Sequence, residues 1–129
     1  MAQVQVTLHV DAANITELNK NTVCSLTGST TTTPSPGDIT DAETEAYVDD
    51  TIVWTGVSSS NDNAVITIVE IVHDSGTNAF SSSTLPGNMA GNVEGIAVNV
   101  TNNNKYTITF TVNDSVYSID PKIQVHAPH

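Results

Sequence analysis

The chain has 129 residues, with 14 acidic side chains, three lysines, no arginine and a formal net charge of −11. Residues 1–129 fit a single domain, and a chain of this length can fold without a disulfide or a metal. Nucleic acid is excluded as a partner, because affinity for phosphate backbones comes from cations. An anionic membrane surface is excluded by the same argument.

The N-terminal residues predict a β-strand. Val4, Val6, Leu8 and Val10 alternate with polar residues, so one face is expected in the core and the other in water. The basic start and apolar run of a signal peptide do not occur there. We therefore expect a protein that stays in the cytoplasm or is exported without a standard signal peptide.

Cys24 is the only cysteine, so it cannot form an intramolecular disulfide. It falls in a predicted strand from Asn21 to Thr27, between the apolar residues Val23 and Leu26. The favoured interpretation is a small buried hydrophobic side chain. A reactive thiol would need a nearby cation to lower its pKa, and the chain has few.

Residues 29–50 predict a long loop that is acidic in its second half. Thr30 to Gly37 is rich in threonine, serine and proline, as exposed loops are. Asp38 to Tyr47 has the pattern of a short helix, with Asp38 or Thr40 as its N-cap.

Six carboxylates lie within thirteen residues of this loop: Asp38, Asp41, Glu43, Glu45, Asp49 and Asp50. Calcium prefers several oxygen ligands, which carboxylates on a flexible loop can supply. The spacing is not that of an EF-hand, since the required glycine and terminal glutamate are missing. A solvated acidic loop is the default interpretation and a calcium site is the alternative. No other cofactor is expected.

Further strands are predicted along the rest of the chain, separated by turns rich in serine, asparagine and glycine. They are Thr51 to Val57 with the only tryptophan, Trp54; Ala64 to Val72; the weaker Asn78 to Ser83; Asn92 to Val100, which alternates through Ile96, Val98 and Val100; Lys105 to Val112; Val116 to Ile119; and Lys122 to His126. Ala64 to Val72 is nearly continuously apolar, which is typical of a central strand covered on both faces. Asn102-Asn103-Asn104 indicates a turn. Pro121 is expected to interrupt the hydrogen-bond ladder between the last two predicted strands. The pattern predicts an all-β fold, a single antiparallel β-sandwich of Ig-like or cupredoxin-like type with about seven to nine strands.

No arrangement of residues indicates catalysis. The sequence has neither a Gly-x-Ser-x-Gly nucleophile elbow nor a glycine-rich phosphate loop. A transition metal would need three or four convergent ligands, but His126 and His129 lie far along the chain from His9 and His73. His9 and His126 could face each other on neighbouring strands, yet outward-facing strand histidines are the favoured interpretation. We expect no enzyme.

Residues 48–54, Val-Asp-Asp-Thr-Ile-Val-Trp, resemble the V-G-D-T-V-x-W strand of cupredoxin-type sandwiches. Blue-copper proteins hold their metal with two histidines and a cysteine near the C-terminus. Here the cysteine is near the N-terminus, so the resemblance implies the sandwich and no copper.

Residues 117–125, Tyr-Ser-Ile-Asp-Pro-Lys-Ile-Gln-Val, resemble the Tyr…Asp-Pro-x-Ile-x-Val ending of bacterial inclusion-body proteins of the AidA/PixA type. Those proteins also carry a strand like Asp50 to Trp54 followed by a serine-rich stretch, and they begin with a strand and no signal peptide. They are usually longer than this chain. The resemblance implies a non-catalytic, self-associating β-sandwich and supplies no functional residues.

Two functions are therefore predicted. The first is a structural protein that self-assembles through strand edges into a homo-oligomer, filament or inclusion, with Gln3 to Val10 or Lys122 to His126 as the pairing strand. These strands end the chain and have almost uncharged outward faces, although a net charge of −11 opposes association. The alternative is a carbohydrate-binding module or lectin, with or without calcium, that takes a neutral carbohydrate. Trp54, Tyr47, Tyr106 and Tyr117 would be its aromatic platform, but core packing explains them better.

Overall fold

The computed structural model describes residues 3–28, 30–32, 39–59, 64–88 and 91–127. The strands in these residues are β1 Gln3–Val10, β2 Cys24–Thr27, β3 Thr31–Thr32, β4 Glu43–Tyr47, β5 Thr51–Ser58, β6 Ile66–Ser75, β7 Thr84–Pro86, β8 Val93–Ile96, β9 Thr101–Val112, β10 Ser115–Ile119 and β11 Lys122–His126. The helical elements are a single turn, α1 Lys20–Val23, and a 3-10 turn at Ile39–Asp41. The predicted all-β fold is confirmed.

The strands form two sheets of mixed orientation. A four-stranded sheet has the order β2-β1-β5-β8, and a seven-stranded sheet has the order β3-β4-β11-β9-β6-β7, with β10 also paired to β9. Most neighbours are antiparallel, but β1 runs parallel to β5 and β4 runs parallel to β11. A purely antiparallel sandwich, as the sequence predicted, is therefore wrong in this respect. Between β1 and β5 the chain crosses to the other sheet and returns, which is the long connection that a parallel pair requires.

One hydrophobic core lies between the two sheets. Alternate residues of the strands supply it, as the period of two in the sequence predicts. Its largest fully buried side chains are Trp54, Tyr106, Phe110, Leu8, Leu26, Ile39, Ile52, Ile68, Ile71, Ile108, Ile119 and Ile123. Each aliphatic member contributes about 1.5–3 kcal/mol of transfer free energy.

β9 is the longest strand and has two partners along one edge. Its C-terminal half pairs with β10, where Ile108 lies opposite Ile119, and its N-terminal half pairs with β11. Asp120 and Pro121 separate β10 from β11, so the predicted interruption by Pro121 is confirmed. The predicted turn at residues 102–104 is wrong, because these asparagines lie inside β9, where the pairing with β11 shifts register.

Three other local predictions also need correction. The strand expected from Asn21 begins only at Cys24, because α1 precedes it. The helix expected in Asp38 to Tyr47 is limited to the 3-10 turn, and the rest of the described part forms β4, so the acidic region is not one continuous loop. β6 has neighbours on both edges, but Val69 is 40% exposed, so only one face of the strand is covered.

The two strands predicted to pair with other copies are internal. β1 lies between β2 and β5, and β11 lies between β4 and β9. Their backbone groups are used on both sides, so the prediction that these strands form free edges is wrong. Being at the end of a chain does not place a strand at the end of a sheet. Across the described ranges, no helix has the length and apolar character to cross a membrane.

Candidate functional site

The most exposed row of apolar side chains in the described structure runs along the end of β8 and the residues just after it. Ile96 is 55% exposed, Val98 39% and Val100 58%, and Glu94 precedes them on the same side. We call these four residues the β8 edge surface. A half-buried strand normally turns its large apolar residues to the core. Here Val93 faces the core, but Ile96 and the two valines after the strand face solvent.

The cause of this orientation lies on the inner side of β8. Val93 and Gly95 of β8, and Ala97 just after the strand, are the residues that face the core there. A Cβ atom on Gly95 would lie 2.6 Å from Cδ1 of Leu85 and 3.3 Å from the ring of Phe80. Because these two side chains fill the interior at this point, the register that places Gly95 inside is the one that fits. The period of two then sends Ile96 outward.

The backbone of β8 is also unpaired on its outer side. The Ala97 N–H donates to the Asp50 carbonyl at 3.0 Å, on the side facing β5. Because antiparallel strands alternate, the N–H and C=O groups of Glu94 and Ile96 point the other way. Within the described ranges these outward groups have no hydrogen-bond partner. An unpaired edge of this kind is a template for another strand.

The other sheet edges are better protected or more polar. β3 has two residues, and β7 ends in Pro86. β10 lies between the acids Asp114 and Asp120. β2 presents the small polar residues Ser25 and Thr27 away from the core. Short strands, proline and flanking charges are the usual means of blocking edge pairing, and β8 has only Glu94.

The predicted acidic site is divided between the two ends of β4. Glu43 and Glu45 project from the outward face, and the neighbouring β11 supplies their partners. Nε2 of Gln124 donates to Glu43 at 3.3 Å, and Nε2 of His126 lies 3.2 Å from Glu45.

Asp49 and Asp50 follow the far end of β4, about 13 Å along the strand from Glu43. Oδ2 of Asp50 accepts the Tyr47 N–H at 2.9 Å, and the Asp50 side chain is buried. No group of three or more potential metal ligands converges within the described part of the chain. Asp38 and the side chain of Asp41 lie outside it, so calcium binding stays a prediction.

The histidines are dispersed. His9 lies in the four-stranded sheet and His126 in the seven-stranded sheet, so the expectation that they could face each other on neighbouring strands is wrong. Their side-chain partners are Thr27 for His9 at 2.8 Å, Asn104 for His73 at 2.9 Å and Glu45 for His126 at 3.2 Å. His129 lies outside the described residues.

Three aromatic residues, Trp54, Phe80 and Tyr106, form an interior cluster. Trp54 is 1% exposed and its Nε1–H donates to the Tyr106 hydroxyl at 3.2 Å. The Trp54 ring packs edge-on against Phe80 and Tyr106, with centroids 5.7 and 5.8 Å away. Burial raises the pKa of Tyr106 to about 12, although hydrogen bonds from Trp54 and Thr44 act in the opposite direction. The prediction that Trp54 is a core residue and not a sugar platform is confirmed.

Cys24 is also buried, as predicted, with 5% of its surface exposed. Burial raises the pKa of its thiol to about 12, and Asp11 adds to this effect while Lys20 opposes it. A thiol with so little thiolate at neutral pH is a poor nucleophile.

Two mixed sheets around one aromatic and aliphatic core define a β-sandwich protein. Its fold is similar to the crystal structure of an inclusion body protein, PixA, from Burkholderia cenocepacia J2315, with a TM-score of 0.61 and 13% sequence identity. The match covers 98% of this chain and 95% of that one. The resemblance to AidA/PixA-type proteins that the sequence indicated is thus confirmed at the level of the fold. The sequence matches no protein-family model and no curated protein.

Proposed function

We propose that this protein is a non-catalytic structural protein that self-associates through the β8 edge surface. The observation that carries the proposal is the coincidence of an unpaired strand edge at Glu94 and Ile96 with exposed β-branched side chains, Ile96 in the strand and Val98 and Val100 just after it. The similar fold of a protein described as an inclusion body protein supports the same class of function. It does not identify the surface, which is argued from this chain alone.

A second copy of β8 fits this edge electrostatically. If two β8 strands pair antiparallel about Ile96, each Ile96 meets its own counterpart and exchanges two backbone hydrogen bonds with it. Glu94 then lies level with Val98, beyond the end of β8, and not opposite another acid. The Val98 N–H already donates to the Ala79 carbonyl at 2.8 Å, so the new hydrogen bonds are those of Ile96. Cross-strand pairs of β-branched residues stabilise a sheet by about 0.2–1 kcal/mol each.

Such a two-fold pair is closed, so growth into a filament or inclusion needs a second contact. Repulsion between copies that each carry a charge of −11 opposes association. We therefore expect association to strengthen with salt, since the Debye length falls from about 10 Å at 0.1 M to about 3 Å at 1 M.

The test compares two double variants by sedimentation velocity and light scattering across this salt range. Ile96→Lys/Val98→Lys places charges on the β8 edge surface and should abolish association. Val65→Lys/Val116→Lys is the matched control, since these valines are 62% and 61% exposed and lie elsewhere. The control adds the same charge and should associate at least as well as the parent.

A third variant separates the backbone from the side chains. Ile96→Pro removes one outward N–H, which an edge strand tolerates, and should weaken association with little loss of folding. A parent protein that stays monomeric at high concentration in every salt would contradict self-association. The carbohydrate-binding alternative would then come first, with Tyr47, which is 37% exposed, as its aromatic residue.

A further inference from the structure

Two of the chain's three lysines are direct neighbours in the seven-stranded sheet. Lys105 on β9 and Lys122 on β11 are register partners, so their side chains leave the same face about 5 Å apart. Like charges directly opposite each other destabilise a sheet. The third lysine, Lys20, is 3.1 Å from Glu17 in an ion pair. Lys105 has no carboxylate partner among the described residues.

These lysines belong to a row that crosses four strands. Glu43 pairs in register with Lys122, Lys122 with Lys105, and Lys105 with Ser75. All four line one depression of about 350 Å³, together with Asn102 and residues 104 and 123. Register shifts lie next to it on both sides of β9. Such irregularities redirect side chains and often occur beside functional sites.

One lining residue carries an unsatisfied donor. Asn104 is 1% exposed, and its Oδ1 lies 2.9 Å from Nδ1 of His73. The Asn104 Nδ2 group is buried and has no hydrogen-bond partner within the described ranges. Buried polar groups without partners are rare in folded proteins. Besides this buried amide, the wall of the depression contains two cations, the Ser75 hydroxyl and the Asn102 amide, which can donate hydrogen bonds.

We propose that this depression binds a carboxylate group. Glu43 offsets one lysine, which leaves one net positive charge for the ligand to balance. A singly charged carboxylate matches it, whereas a phosphate dianion would leave one negative charge unbalanced at the site. Charge-assisted hydrogen bonds from Lys105 and Lys122 would hold the two oxygens, and Ser75 and Asn102 would donate at the rim. The carboxylate comes either from a small organic acid or from an acidic side chain of a second copy.

The site can be tested by NMR of the lysine side chains, because three lysines give three resolvable Cε–Hε signals. Acetate is titrated against chloride at constant ionic strength. We expect saturable shifts of Lys105 and Lys122 and none of Lys20. Lys105→Gln should weaken the acetate response of Lys122 by about tenfold, and Lys105→Arg should restore it. Lys20→Gln is the control and should leave it unchanged.

Two further measurements define the ligand. Phosphate should bind more weakly than acetate, and tighter binding of phosphate would overturn the carboxylate assignment. Dilution without acetate distinguishes the sources: shifts of Lys105 and Lys122 that change with protein concentration indicate a second copy, while shifts that respond only to acetate indicate a small acid. Only the second-copy source rests on self-association. Equal, linear shifts of all three lysines would overturn the site itself.

Discussion

β11 and β8 are short strands with the same kind of sequence and opposite positions in the fold. In β11, Ile123 and Val125 are each 1% exposed, and a neighbouring strand lies on both sides. β8 lies at the end of its sheet, and Ile96 is 55% exposed. An alternating pattern thus reports that a strand forms. It reports neither which face is buried nor whether the edges are paired.

The difference has a physical origin in what each strand packs against. The interior beside β11 accepts large aliphatic side chains, whereas Phe80 and Leu85 already occupy the interior beside β8. β8 therefore buries Gly95 on the same face as Val93 and exposes Ile96. The consequence of that choice is that Ile96 is exposed beside an unpaired strand edge.

The largest expected effect separates the isoleucines of the two strands. Ile123→Ala should lower the free energy of unfolding by about 2–5 kcal/mol, because it leaves a cavity in the core. Ile96→Ala should change it by about 0.5 kcal/mol or less, since the side chain is half exposed. Urea unfolding followed by Trp54 fluorescence measures both. Equal losses would show that β8 is not the open edge described above.

The second-largest effect is expected from alkaline pH, which should destabilise the protein through ionisable groups buried in the core. The Tyr106 hydroxyl is buried in its neutral form, and its pKa is raised from 10.0 to about 12. The stability that the neutral Tyr106 hydroxyl contributes is fully present below pH 10. It is lost as the pH rises to about 12, which lowers the free energy of unfolding by roughly 2–3 kcal/mol. Cys24 acts in the same direction above pH 9, because its pKa is raised from 9.0 to about 12.

Unfolding free energies between pH 8 and 11.5 measure this loss. Tyr106→Phe should flatten the dependence, while Tyr47→Phe, at an exposed position, should leave the slope as it is. If the unfolding free energy of Tyr106→Phe has the same pH dependence as the parent, ionisation of the Tyr106 hydroxyl does not cause the loss of stability.

A smaller effect tests why β8 exposes its large residues. Gly95→Val should destabilise the protein by about 1–3 kcal/mol, because its branched side chain would meet Leu85 and Phe80. Ile96→Val, one residue along on the outer face, is the control and should be neutral within about 0.5 kcal/mol. Thermal unfolding compares them. A neutral Gly95→Val would mean that the interior has room and that another force orients β8.

The smallest expected effect is on the rate at which the fold opens and exposes Cys24. Cys24 is buried with a raised thiol pKa, so it should react with a maleimide at pH 7 only when the protein opens. Ile96→Lys/Val98→Lys should leave the labelling rate within about twofold of the parent, since surface changes seldom alter stability. Ile123→Ala should raise it strongly. If Ile96→Lys/Val98→Lys were labelled faster than the parent, its loss of association would be a result of unfolding.

Much of the fold could be predicted from local pattern. The alternation in β1 and β9 identifies both strands and their buried faces, and the confirmed positions of Trp54 and Cys24 follow from apolar context. The strand predicted from Asn92 to Val100 is limited to Val93–Ile96, so Val98 and Val100 follow it. The outward orientation of Ile96 was not foreseen. The lysine pair could not be foreseen either, because Lys105 and Lys122 meet only through the register of β9 with β11.

The amino-acid sequence by itself determined the all-β class, the acidic character and the sandwich core, because these depend on composition and on a period of two. Only the tertiary structure decided that β1 and β11 are internal, that two strand pairs are parallel and that β8 is left with an open edge. Sheet order depends on which strands meet across long loops, and no local pattern encodes it. Even the face of β8 was decided by Phe80 and Leu85, whose packing beneath Gly95 leaves no space for a larger side chain.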